Sequence, residues 1–71
     1  MIENDRFIDF LRRELKISMA HMAESNPVDM IKAAGILQTM INLKQTALQG
    51  EIERSLSRAP YLRNLIQTLS V

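Results

Sequence analysis

Cysteine is absent from this chain of 71 residues, and so is tryptophan. Without cysteine there is no disulfide framework and no thiol chemistry. A single histidine, His21, excludes a histidine-rich metal site. Net charge is nearly absent as well: +1, from nine basic and eight acidic residues. That balance is too even to point to nucleic acid or an anionic membrane as the partner. Long apolar runs are missing, so nothing is expected to span a bilayer. The N-terminal MIENDR is acidic and no apolar run follows it, which argues against a secretory signal. The expected setting is the cytoplasm.

Hydrophobic residues make up 46% of the chain, enough for a globular domain and against disorder. Five methionines against one tyrosine and two phenylalanines indicate a soft, aliphatic core. A core of this size supplies only about 3–5 kcal/mol, and small proteins commonly add a disulfide, a metal or a partner subunit. With the first two removed, association is the expected support.

Two prolines, Pro27 and Pro60, divide the chain into three segments. Proline disfavours helix at the residue before it and suits the first helical position. No segment shows period-2 alternation or a hairpin dipeptide. In the first segment, from about Asn4 to Glu24, Phe7, Ile8, Leu11, Leu15, Met19 and Met22 recur at helical spacing. Asn4 can cap this helix, with Asp5 in its first turn. Phe10 and Ile17 form a second, narrower apolar line. The next segment opens with Asn26 as cap, Pro27 at the first position and Asp29 in the first turn. Ile52 and Leu56 keep its period going beyond Gly50, so a continuous helix to about Ser57 is expected. From about Pro60 to Ser70, Leu62, Leu65, Ile66 and Leu69 give a short amphipathic helix that must dock on something.

The fold class expected is therefore all-α: an antiparallel helical hairpin (about 4–24 and 27–57) plus a short C-terminal helix (about 60–70), completed into a bundle by dimerisation. The central segment carries two adjacent seams. Met30, Ala34, Leu37, Ile41, Leu48, Ile52 and Leu56 form one, interrupted by Lys44, and Ala33, Ile36, Met40, Leu43 and Ala47 form the other. Together they cover about half the circumference at 100° per residue, which implies two neighbours. The expected partner or dimer interface is Phe10, Ile17, Ile36, Leu37, Met40, Ile41, Leu43, Leu48, Ile52 and Leu56. The polar side, with Gln38, Thr39, Asn42, Gln45, Thr46 and Gln49, is uncharged. It is either a plain solvated surface or one partly covered in a complex, since amides and hydroxyls cost less to bury than charges.

Nothing in the sequence supports catalysis. His21 belongs at the rim, beside Phe10, Glu14 and Ile17. Glu51 and Glu53, two apart on a helix, do not share a face. The serines lack a Gly-x-Ser-x-Gly context, and no glycine-rich loop precedes a helix to cradle phosphate. No cofactor, metal or small-molecule substrate is expected. Two small basic patches stand apart in the sequence: Arg12, Arg13 and Lys16, and Arg54, Arg58 and Arg63. They are possible phosphate contacts, set against eight acids, one exposed aromatic candidate (Tyr61) and no base-reading pattern. The reading that follows is a small non-enzymatic interaction protein, an adaptor, chaperone or inhibitor, working as a homodimer on a protein partner. A dimeric RNA- or DNA-binding regulator and a structural subunit of an assembly are the alternatives. In length and helix count the chain is similar to small bacterial and phage helical-hairpin proteins, among them RNA-binding hairpin dimers, secretion co-chaperones and anti-activators.

Overall fold

The computed structural model describes the backbone of residues 2–22 and 27–69, and the side chains of 5–22 and 27–69. Four helices account for nearly all of it: α1 (Ile2–Met22), α2 (Pro27–Leu43), α3 (Thr46–Arg58) and α4 (Leu62–Leu69). There is no strand among the described residues. The all-α class holds. The turn expected at Ser25-Asn26 lies outside the described residues.

α1 begins at Ile2, so Asn4 sits inside the helix and not at its cap. Leu11, Leu15, Ser18 and Met22 are its buried line, at the 3–4 spacing of one face. Phe7, expected in this stripe, is 44% exposed because it lies at the edge of the line, toward Phe10. α2 starts at Pro27 with Asp29 in its first turn, where a carboxylate complements the helix dipole. Two side-chain contacts join α1 and α2 in antiparallel register: the ion pair of Glu14 with Lys32 at 2.9 Å, and His21 Nδ1 at 3.5 Å from Asp29 Oδ2. The Glu14 carboxylate accepts a hydrogen bond from Lys32 and raises the ammonium above its ordinary value. That preference is fully present below the usual lysine range and is lost only as pH rises beyond it.

The expected continuous helix from 27 to 57 is corrected here: it ends at Leu43 and restarts at Thr46. Helical geometry persists through Gly50, despite the low helix propensity of glycine. Lys44 takes a left-handed conformation (φ 52°), and Gln45 is extended at the start of α3. The cause is the position of Lys44. At 100° per residue a straight helix would place it between Ala33 and Met40 on one side and Leu37 and Ile41 on the other, in the middle of the inward arc. Burying that ammonium unpaired would cost more than bending the chain. The last turn tightens instead, with Lys44 N–H donating to Ile41 O at 3.1 Å, and Leu48 N–H donates to Gln45 O at 3.0 Å. A non-glycine residue in this conformation costs about 1–2 kcal/mol. Its reward is the burial of Leu48, Ile52 and Leu56 along one line of α3, each contributing about 1.5–3 kcal/mol. Burial wins.

α2 is the central element, with α1, α3 and α4 all packed against it. Leu37, Met40, Leu48 and Leu62 are fully enclosed and cluster with Leu11 and Leu15, so all four helices meet in one core. Ala33 and Ser18, both small and fully buried, suit close approach of helices. The α3–α4 corner closes at Ala59–Pro60, with Ala59 N–H bonded to Ser55 O and Leu62 N–H to Ala59 O, both 3.0 Å. α4 starts two residues after Pro60. It turns Leu62, Leu65 and Ile66 inward and leaves Leu69 half-exposed.

Two tests follow from the break and the core. Lys44→Gly, which removes the left-handed penalty, should stabilise the chain by about 1 kcal/mol and raise Tm by about 4–8 °C; an unchanged or lower Tm contradicts the break. Leu37→Asp should abolish the far-ultraviolet helical signal, because Leu37 is fully enclosed. Ile41→Asp should keep that signal, since Ile41 is 38% exposed.

Candidate functional site

The ten residues expected at an interface fall into three groups. Leu37, Met40, Leu48, Ile52 and Leu56 are buried in the chain's own core. Assigning them to an interface is corrected for that reason: they pack among the chain's own four helices. Ile36 and Leu43 are half-buried against the same core. Phe10, Ile17 and Ile41 reach solvent. α4 packs on α2, and Phe10 and Ile17 stay about half exposed, at 52% and 42%.

The polar side of the central segment is divided by the break. Thr39 Oγ1 donates to Gly35 O at 2.9 Å, which satisfies the hydroxyl within its own helix. Gln38 and Thr39 are half-buried, whereas Asn42, Gln45, Thr46 and Gln49 are exposed.

The fold's larger effect is on the basic residues. Returning α3 along the molecule sets it beside α1 and leaves a groove of about 870 Å³ between them. From α1 come Arg12, Arg13 and Lys16, with Leu15, Met19 and Ala20. From α3 come Glu51, Arg54, Ser55 and Arg58, at i, i+3, i+4 and i+7 spacing on one face. The two patches that stand forty residues apart in sequence are one feature in space, except that Arg63 lies on α4, outside it.

One clamp ties the groove's two walls. Arg12 pairs through Nε with Glu51, and its Nη2 reaches Ala47 O at 3.5 Å. The Nε contact is a close ion pair without an aligned hydrogen bond. Arg12 also approaches Asp9 at 4.0 Å along its own helix. Glu51 is the groove's sole acid, and Arg12 occupies it. Among the described residues, no carboxylate lies within ion-pair distance of Arg13, Lys16, Arg54 or Arg58.

These residues are suited to holding an anionic, partly apolar surface and hold no nucleophile and base in contact. His21 sits on another side of α1, paired with Asp29. Among the described residues there is no cluster of His, Asp or Glu fit for a metal ion, and no helix is long and apolar enough to cross a membrane. Sequence reasoning found the five basic residues but could not join them, because the joining depends on the turn at Lys44.

Glu51→Gln should leave helicity intact and cost less than about 1 kcal/mol, because a solvent-accessible pair contributes little; thermal melts measure this, and collapse of the fold would show that the clamp is structural. Comparison with protein-family models, with curated proteins and with solved structures finds no match to this chain.

Proposed function

We propose that the chain is a small non-enzymatic interaction module that binds and masks a surface of another protein through the α1–α3 groove. The observation that carries this reading is the groove itself: an open trough whose walls bear four cations with no carboxylate partner among the described residues, and whose residues include Leu15, Met19 and Ala20. Adaptor, chaperone and inhibitor are all compatible with such a surface.

Self-association belongs to this reading, on a different side. Phe10 and Ile17 share a face of α1 with Glu14 and His21, by their spacing. Val28 and Ile31 are 71% and 57% exposed near the start of α2. The polar groups between them already have partners within the chain, Glu14 with Lys32 and Asp29 with His21. A second copy can therefore approach without burying an unpaired charge. A nucleic-acid regulator is the second reading, favoured by the gathering of five basic residues in one trough.

Two measurements test the proposal. Sedimentation of the purified chain should give a dimer, and the Phe10→Ala/Ile17→Ala double variant should sediment as a folded monomer with unchanged helicity. An immobilised chain, offered nuclease-treated extract of its host, should retain a protein that an Arg13→Glu/Arg58→Glu chain does not. Steeply salt-dependent binding of RNA or duplex DNA by the groove, with no protein retained, contradicts the proposal.

A further inference from the structure

We infer that the occupant of the α1–α3 groove is an acidic amphipathic helix of the partner protein, an inference that rests on the protein-binding reading above. The first argument is charge. Five of the chain's nine basic residues line this one trough with a single acid, and that acid is held by Arg12. Outside it, the four remaining cations are outnumbered by the seven remaining acids. The near-neutral total conceals a concentrated positive site on an otherwise negative molecule. A long polyanion would overrun the site and meet the acidic remainder. A short acidic segment meets only the cations.

The second argument is the groove's apolar part. Three apolar residues of α1 line the groove: Met19 is half-buried, Ala20 is exposed and Leu15 is almost wholly buried. A phosphate backbone has nothing to place there. An aliphatic ridge does, and Met19 adapts to its shape. Bases would need aromatic platforms, and the chain's three aromatics, Phe7, Phe10 and Tyr61, are not among the groove's residues.

The third argument is geometry. The groove residues of α1 run from Arg12 to Ala20, about two turns or roughly 12 Å of helix at 1.5 Å per residue. Two helices held apart with an open trough between them present the ridges that a third helix fills. Carboxylates three or four residues apart on the flanks of such a helix reach Arg13 and Lys16 on one wall, and Arg54 and Arg58 on the other. Arginine carries three of these four contacts, which favours paired hydrogen bonds to carboxylate.

The test titrates the isotope-labelled full chain with a synthetic peptide of about three helical turns, leucine and alanine on one face and glutamate on both flanks. Amide shifts should concentrate at residues 12–20 and 51–58. A scrambled peptide of the same composition should bind at least about tenfold more weakly, a difference of about 1.4 kcal/mol. Arg54→Glu/Arg58→Glu should lose at least about tenfold, and so should Ala20→Glu, an exposed position whose change leaves the core alone. Equal binding of the scrambled peptide, or shifts centred on Phe10 and Ile17, overturns the inference. If no peptide binds while capture of a host protein still depends on Arg13 and Arg58, this inference fails and the protein-binding reading stands. If single-stranded RNA displaces the peptide at lower concentration, both fail.

Discussion

The architecture depends on one constraint: a charged side chain cannot occupy the middle of the buried arc of α2. Lys44 is the single charge between Ala33 and Gly50, and it falls where a straight helix would turn it inward. The chain leaves helical geometry at that residue and resumes two residues later. From this reversal follow the enclosure of Leu48, Ile52 and Leu56, the docking of α4 beside them on α2, and the placing of α3 next to α1. A straight helix from 27 to 58 would be about 48 Å long at 1.5 Å per residue. The whole molecule extends only 36 Å along its longest axis.

The groove is a consequence of the same reversal. Basic residues on α1 and α3 repel one another, and a trough lined by five of them would open further without a tie. Arg12 and Glu51 provide that tie, one residue from each wall. Their pair spends the groove's only acid and leaves the remaining cations without a carboxylate partner among the described residues. Such a surface costs stability in isolation, and the anionic partner proposed above would restore it on docking. In so small a core that exchange is a large fraction of the total stability.

Much of the fold is written plainly in the sequence. The stripe of Leu11, Leu15, Met19 and Met22 marks α1, Pro27 and Asp29 mark the start of α2, and the spacing of Leu62, Leu65 and Ile66 marks α4. Two adjacent seams on the central segment correctly require more than one neighbour, but the neighbours inside this chain are three, because the segment itself divides. The signal for the division is Lys44 within the apolar stripe, while Gln45, a poor helix cap, hides the new start. Gly50 attracts attention as the residue of low helix propensity, yet it only permits a break, whereas a buried lysine compels one. The groove was half legible: Arg12, Arg13, Lys16, Arg54 and Arg58 stand out in sequence, but their union is tertiary. Phe10 and Ile17 are legible as a line apart from the main stripe, and they remain on the surface.

The most direct measurement is the distance between the start of α2 and the end of α3. The chain has no cysteine, so Val28→Cys and Ser57→Cys give clean spin-label sites, diluted with unlabelled chain to suppress distances between copies. A reversal at Lys44 predicts a distribution well below the roughly 44 Å that a straight helix would set between these positions. A distribution centred near that length would contradict the account.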